Sequence, residues 1–175
     1  MIRLERATLC GCVLSSKWVE LFLLRHGIAE ERIDGLDHPD RPLTVRGRQR
    51  TQAVVAHLAA CGLRAERLIT SPYRRAYETA TLAHRAGLAP SPEQSLLLAP
   101  GGDHFALVQA CSERCLFVGH EPDLSGLAAV LLGVPPEVLR LRKAGLLHLR
   151  APAALGWRPG AAQLEALLRP ALLVP

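Results

Sequence analysis

The chain of 175 residues is 49% hydrophobic and carries a formal net charge of +5, with a pI of about 9.3. This length supports one substantial hydrophobic core, so a single domain is expected. The basic residues are scattered, almost all are arginine, and only 4% of the residues are aromatic, a pattern that argues against nucleic-acid binding. No apolar stretch of the sequence is long enough to span a membrane.

The cysteines and the N-terminal stretch bear on compartment and domain boundaries. Five cysteines without a CxxC pair predict neither a disulfide framework nor a zinc site, but the reduced thiols of a cytoplasmic protein. Residues 1–18 are too weakly apolar for a secretory signal. Because the first clear strand begins at Val19, we expect residues 1–18 to be a non-native or disordered extension and residues 19–175 to form the domain.

Strand and helix signals alternate from Val19 onward. Short apolar runs predict buried strands at LFLL (21–24), ERLIT (66–70) and CLFV (115–118), an extended piece at the start of LLLAPGG (96–102), and an antiparallel hairpin from GLLHLRAP (145–152) and AQLEALLRP (162–170). Helices are predicted after the N-caps Thr44, Ser71 (with Pro72 as first helical residue) and Asp103, and from about Asp123, with stops at Gly62, Gly87 and Gly133. This order predicts an α/β fold, a three-layer α/β/α sandwich with a mostly parallel central sheet and an antiparallel edge.

Each of the three buried strands ends in polar residues. In strand order these are Arg25-His26-Gly27, the segment 71–75 and Gly119-His120-Glu121. Because parallel strands open their carboxyl ends at one edge of the sheet, two histidines and at least two arginines are expected to converge there. Guanidinium groups pair bidentately with phosphate, and backbone N–H groups at a helix start would add donors. The sequence therefore predicts a phosphoryl-binding site.

Two histidines beside a phosphoryl group suggest a specific chemistry. A neutral imidazole nitrogen can attack phosphorus in line and form a phosphohistidine, which water then hydrolyses. The sequence contains no P-loop and no cluster with metal-ligand spacing, so neither a cofactor nor a metal is expected.

These segments resemble motifs of a known family. LFLLRHG, SPYRRAYETA and VGHEP are similar to the signature segments of the histidine phosphatase superfamily, and DRPLTVRG, LAPGGD and AQLEALLRPALL resemble its small phosphohistidine phosphatase branch of SixA type. The resemblance runs from Val19 nearly to the end of the chain. It implies a phosphoglycerate mutase-like fold, His26 as nucleophile, Arg25 and Arg75 as phosphate ligands, and His120 as the second imidazole. The implied substrate is phosphohistidine on a protein, for example a histidine phosphotransfer domain.

Further residues have two readings each. Arg41 in RPLT is either a phosphate or substrate contact or a surface arginine, and Gly27 and Ser71 are candidate phosphate-binding residues. Asp103 is a candidate general acid, although a helix N-cap is favoured at that position. Glu121, like Glu30, is a candidate acid for which solvation at the rim is favoured. Lys143 in RKAG corresponds to a basic position of the resembled branch and has no assigned mechanism.

Three functions remain open on the sequence alone. The first is phosphohistidine hydrolysis, favoured because no convincing general acid is evident and because little chain lies between Arg75 and His120 to form a lid. The second is a phosphomonoesterase of the same superfamily that acts on a small phosphorylated metabolite. The third is a module that binds phosphohistidine without turnover, which would have little reason to carry both histidines.

Overall fold

The computed structural model describes residues 18–32 and 34–173. Six strands form one sheet: β1 (Trp18–Arg25), β2 (Arg67–Thr70), β3 (Glu93–Gln94), β4 (Cys115–Gly119), β5 (Leu146–Pro152) and β6 (Gln163–Leu168). Their order is β3-β2-β4-β1-β5-β6. The first four strands pair in parallel, and β5 and β6 complete the sheet antiparallel to their neighbours.

Within the described part of the chain, five helices accompany the sheet: α1 (Val45–Ala60), α2 (Arg74–Arg85), α3 (His104–Gln109), α4 (Asp123–Leu132) and the short α5 (Pro170–Leu173). Alternate residues of β1 enter two separate cores, because successive side chains of a strand point to opposite faces. Leu23 packs with residues of α3 and α4, whereas Leu24 packs with residues of α1 and α2. The predicted three-layer sandwich with an antiparallel edge is therefore confirmed.

Local capping signals place most helix ends where the sequence predicted them. The Thr44 side chain accepts a hydrogen bond from Gly47 N at 2.8 Å, and the Asp103 carboxylate accepts one from Ala106 N at 2.9 Å. Helix α4 ends at Gly133, which has a left-handed φ of 68°.

Two predicted elements differ in the structure. Helix α2 begins at Arg74, with Tyr73 rather than Ser71 at the N-cap, because the Ser71 hydroxyl accepts a hydrogen bond from Tyr73 N in a local turn. The predicted extended piece after Ser95 is instead a 3₁₀ turn (Leu96–Leu98), capped by the Ser95 side chain. The short extended strand β3 lies just before this turn.

Strand β1 includes Trp18, one residue before the predicted start of the strand at Val19. Trp18 pairs with Pro152 of β5. The rest of the predicted extension, residues 1–17, lies outside the described residues. Among the described helices, none combines the length and the apolar character needed to cross a membrane.

Candidate active site

A cavity of about 790 Å³ opens at the carboxyl ends of β1 and β4. We call it the histidine cavity, because His26, which follows β1, and His120, which follows β4, line it together with Arg75 from the first turn of α2. Arg25, at the end of β1, completes the set that the sequence predicted to converge. The fold thus brings these four side chains to one edge of the sheet.

His26 presents one nitrogen to the cavity. Its side chain is buried, and the Gly27 carbonyl accepts a hydrogen bond from Nδ1 at 2.7 Å. A carbonyl can only accept, so Nδ1 carries the proton and Nε2 of the neutral ring holds a lone pair. The same Nε2 accepts a hydrogen bond from Arg75 Nε at 3.4 Å. Burial is the largest cause that lowers the pKa of His26, to about 2; repulsion between the two imidazoles when both are protonated and the Arg75 charge add to it, so the ring stays neutral.

His120 is fixed from both sides. Its Nδ1 accepts a hydrogen bond from Arg75 Nη2 at 3.3 Å, since a guanidinium can only donate. Its Nε2 therefore donates to the Ser71 hydroxyl at 2.8 Å. The His26 and His120 ring centroids are 5.1 Å apart. Burial and the Arg75 charge lower the pKa of His120 to about 3, so both imidazoles of the cavity are neutral at pH 7.

Arg75 lies between the two imidazoles. Its side chain is only 2% exposed, and besides both histidines it contacts the Asp37 carboxylate, whose Oδ2 accepts from Nη2 at 2.9 Å. Its guanidinium also lies 4.9 Å from the centre of the Tyr73 ring, a cation–π distance. These contacts hold the guanidinium in one orientation.

Asp37 is a site residue that the sequence reasoning missed. Its carboxylate bridges Arg75 and Arg41, and both arginines line the histidine cavity. Burial raises the pKa of Asp37, but the hydrogen bond from Arg41 and the charge of Arg75 outweigh that effect and hold it below its ordinary value. The only sequence signal was its position four residues before Arg41 in a charged loop. Asp37 thus places a carboxylate on two candidate phosphate ligands.

Arg25 and Arg41 also line the histidine cavity. Arg25 Nη1 donates to the Leu141 carbonyl at 2.9 Å, whereas its Nε is buried without a hydrogen-bond partner among the described residues. Arg41 Nη1 donates to the Glu30 carbonyl at 2.6 Å. Both guanidiniums keep further N–H groups for an anion in the cavity.

Two predicted phosphate-binding residues lie behind the cavity wall. The Gly27 N–H donates to Thr79 Oγ1 at 3.1 Å, and a Cβ at this position would approach Thr51 Oγ1 to 2.2 Å. Gly27 is therefore required for close packing and offers no free donor. Ser71 is fully buried, and its hydroxyl is occupied by His120. Two N–H groups near the predicted Ser71-Pro72 helix start are occupied: Tyr73 N donates to the Ser71 hydroxyl, and Arg74 N donates to the Pro39 carbonyl.

The candidate general acids differ in their location relative to the histidine cavity. Asp103 caps α3 and lies outside the histidine cavity, whereas Glu121 lines it. Glu121 is half-buried rather than solvated at the rim: its Oε2 accepts from the Ser125 hydroxyl, and its Oε1 is buried with no described partner. Burial raises the pKa of Glu121 above its ordinary value. Glu30 is exposed at the rim, as the sequence favoured.

The donor set of the site consists of imidazoles and guanidiniums. Within residues 18–32 and 34–173, no group of three or more His, Cys, Asp or Glu side chains is placed to hold a metal ion. An imidazole lone pair surrounded by guanidinium donors is suited to receive a phosphoryl group.

Comparison with known sequences agrees with this geometry. Residues 21–97 match the model of the histidine phosphatase superfamily (branch 1). An uncharacterized protein from Picosynechococcus sp. (strain ATCC 27264 / PCC 7002 / PR-6) is 40% identical over 144 residues, which cover 78% of this chain and 87% of that relative.

Comparison with solved structures extends the agreement to the fold. The protein histidine phosphatase SixA, complexed with tungstate, is similar with a TM-score of 0.77 at 24% identity, covering 89% of this chain and all of that chain. A mutant phosphoserine phosphatase from Entamoeba histolytica, in complex with phosphoserine, is similar with a TM-score of 0.66 at 16% identity, covering 89% of this chain and all of that one. These similarities confirm the predicted phosphoglycerate mutase-like fold.

Proposed function

Because the chain belongs to the histidine phosphatase superfamily, we propose that it hydrolyses phosphohistidine on a protein, through a phosphoryl intermediate carried by His26. The observation that carries the proposal is the combination of a neutral, oriented His26 Nε2 with an open cavity. The structural relative SixA is named a protein histidine phosphatase, and its structure holds tungstate, an oxyanion of phosphate-like shape.

In the first step, His26 Nε2 attacks phosphorus, and the bond from phosphorus to the substrate imidazole breaks. The His26 ring then carries a positive charge, which the Gly27 carbonyl stabilises through the Nδ1 proton. Arg75 and Arg25 donate to the equatorial oxygens of the phosphoryl group. His120 keeps its neutral form and orients the Arg75 guanidinium, whose Nη2 donates to His120 Nδ1.

In the second step, water attacks the phosphorus atom held on His26. The bond from phosphorus to Nε2 breaks, inorganic phosphate leaves, and His26 returns to the neutral tautomer. The Gly27 carbonyl keeps the proton on Nδ1 throughout, so Nε2 is ready for the next cycle.

The leaving group decides between phosphohistidine and phosphomonoester substrates. An imidazole that is protonated on its free nitrogen leaves as a neutral ring, with an ordinary pKa near 6.5. A serine or sugar alkoxide is far more basic and needs a proton from a general acid as it departs. Phosphohistidine therefore makes the smaller demand on this site.

The cavity is also accessible to a side chain on a protein surface. The segment between α2 and β4 contains only β3, a 3₁₀ turn and the six-residue α3. From this segment, Pro100 and Gly101 are the described residues that reach the histidine cavity. A site with so little cover suits a phosphohistidine presented by a histidine phosphotransfer domain or a similar partner.

Glu121 favours a second candidate function, hydrolysis of a small phosphomonoester. Its raised pKa and its place on the cavity wall are the properties that a general acid needs. The similar phosphoserine phosphatase, whose structure contains phosphoserine, shows that this fold also accommodates such a ligand.

The two functions can be separated with one variant and two matched substrates. We expect wild-type kcat/KM to be at least about tenfold higher on a phosphohistidine peptide than on the phosphoserine peptide of the same sequence. Glu121→Gln should reduce phosphoserine hydrolysis further and leave phosphohistidine hydrolysis nearly unchanged. Glu137→Gln, at an exposed carboxylate away from the cavity, is the control.

One result would reject the proposal, and a second would reject the leaving-group argument that supports it. One is a higher kcat/KM on the phosphoserine peptide, which would establish the second candidate function. The other is an equal loss on both substrates in Glu121→Gln, which would make Glu121 an acid for phosphohistidine as well.

A further inference from the structure

A second cavity of about 500 Å³ adjoins the histidine cavity. We call it the arginine cavity, because five cations line it: Arg25, Arg50, Arg142, Lys143 and Arg169. Its other lining residues are uncharged, so the wall contains no carboxylate. Each cavity lies within the size range of a ligand site, and they share Arg25 and Lys143.

None of the five cations of the arginine cavity forms an ion pair with a carboxylate among the described residues. Burial lowers the pKa of Arg25; the Glu121 charge opposes this effect, and the charges of Arg140 and Arg142 add to it. Burial and the Arg25 charge lower the pKa of Lys143. An anion in this cavity would relieve the repulsion between these like charges.

The backbone fixes two of these cations beside the catalytic strand. Ala144 N donates to the carbonyls of Arg25 and His26, both at 3.1 Å, so the turn that carries Arg142 and Lys143 is fastened to the end of β1. Gly145 N closes this turn by donating to the Arg142 carbonyl at 2.7 Å. Arg142 and Lys143 therefore have a fixed position relative to His26.

The remaining cations complete an open surface site. Arg50 comes from α1, and Arg169 directly precedes α5. Arg142, Lys143 and Arg169 are exposed, so a partner's side chains can reach them. A small phosphorylated metabolite held at His26 would use the histidine cavity, whereas a protein surface can fill both cavities at once.

We propose that the arginine cavity is a second anion subsite, which binds aspartate or glutamate side chains of the protein substrate beside its phosphorylated histidine. This inference rests on the proposed function only for the identity of the substrate. The existence of the subsite does not depend on that function. Carboxylates pair with arginine in charge-assisted hydrogen bonds, and such complementarity raises the association rate at low salt. The subsite thus selects among phosphohistidine proteins by the charge of the surrounding surface.

The test uses two phosphohistidine peptides that differ only in flanking residues, one with glutamates and one with glutamines. At low salt, wild-type kcat/KM should be about tenfold higher on the glutamate peptide, and about 0.5 M salt should remove most of this preference. The double variant Arg142→Gln/Arg169→Gln should bring the preference within about twofold. A matched control, Arg85→Gln/Arg158→Gln, removes two exposed arginines outside both cavities and should retain the preference for the glutamate peptide.

A second arm is independent of phosphohistidine turnover. An unphosphorylated glutamate-rich peptide should inhibit hydrolysis of 4-nitrophenyl phosphate by wild type several-fold more strongly than by the double variant. If phosphohistidine is not hydrolysed but this difference is seen, the proposed function fails and the subsite stands. Equal inhibition of wild type and double variant, or a glutamate preference that the double variant retains, overturns the subsite. Inhibition by tripolyphosphate that depends on Arg142 and Arg169, without inhibition by the peptide, would overturn the assignment to a protein partner.

Discussion

The histidine cavity and the arginine cavity share Arg25 and Lys143 but differ in what surrounds those cations. The histidine cavity adds two neutral imidazoles and five carboxylates, whereas every charged residue that the arginine cavity adds is a cation. Positive charge alone binds an anion, but transfer of a phosphoryl group also requires a lone pair that can attack. One edge of the sheet therefore contains a cavity suited to anion binding and a neighbouring cavity suited to phosphoryl transfer.

Burial is what keeps the lone pair available. It is the largest cause of the lowered pKa of His26 and of His120, and neighbouring guanidinium charges lower both values further. In the arginine cavity, three of the five cations are exposed. The same edge of the sheet thus holds neutral imidazoles in its buried part and positive charge in its exposed part.

The largest expected effect comes from removing the attacking nitrogen. His26→Ala should lower kcat/KM on every phosphorylated substrate by more than about 10³-fold, because nothing else in the cavity replaces Nε2. The measurement is phosphate release from a phosphohistidine peptide and from 4-nitrophenyl phosphate. His84→Ala, at an exposed histidine of α2, is the control. If the activity of His26→Ala stayed within tenfold of wild type, an attacking nitrogen of His26 would no longer distinguish the histidine cavity from the arginine cavity.

Arg75→Lys should have the next largest effect. A lysine cannot contact both imidazoles and the phosphoryl group at once, so we expect kcat/KM to fall by about 10²-fold. Arg50→Lys, in the arginine cavity, should change turnover of 4-nitrophenyl phosphate by less than about twofold. Equal losses of turnover in Arg75→Lys and Arg50→Lys would show that the position of an arginine relative to the two histidines does not affect catalysis.

The buried histidines also predict how stability depends on pH. Their folded pKa values of about 2 and about 3 lie below the ordinary 6.5, so below pH 6.5 the unfolded chain takes up protons that the folded chain does not. Stability is therefore complete above pH 6.5 and should fall on acidification, by up to about 1.4 kcal/mol per histidine and pH unit. Urea unfolding between about pH 6 and pH 5 measures this slope. The slope should be smaller in His26→Gln/His120→Gln and unchanged in His84→Gln.

Neutralising Asp37 should make the histidine cavity more like the arginine cavity. Its carboxylate competes with a phosphoryl group for Arg75 and Arg41, so Asp37→Asn should lower the Ki of inorganic phosphate by about fivefold. Asp40→Asn removes an exposed carboxylate of the same loop and should leave that Ki unchanged. Weaker phosphate binding in Asp37→Asn would show that Asp37 serves mainly to position Arg75.

Local signals in the sequence predicted much of the fold. Helix α4 has the predicted bounds, and α1 begins after Thr44, because an N-cap side chain and a glycine after the helix act within one turn. The buried strands likewise located His26 and His120, since a polar residue that directly follows such a strand lies at the edge of the sheet.

The features that the sequence did not reveal depend on distant partners. Ser71 was expected to cap α2, but its hydroxyl is held by His120, 49 positions away. The arginine cavity joins Arg25 to Arg169 across nearly the whole described chain, and no local pattern marks either residue as a neighbour of the other. Such sites require the tertiary fold before they can be recognised.

The most direct test of the central claim is a rapid-quench experiment with a radiolabelled phosphohistidine domain as substrate. Label should pass to the enzyme at least as fast as turnover, in an acid-labile and alkali-stable form, and peptide mapping should find it on His26. Phosphate release at the normal rate with no label on His26, or an equally labelled His26→Ala protein, would contradict this claim.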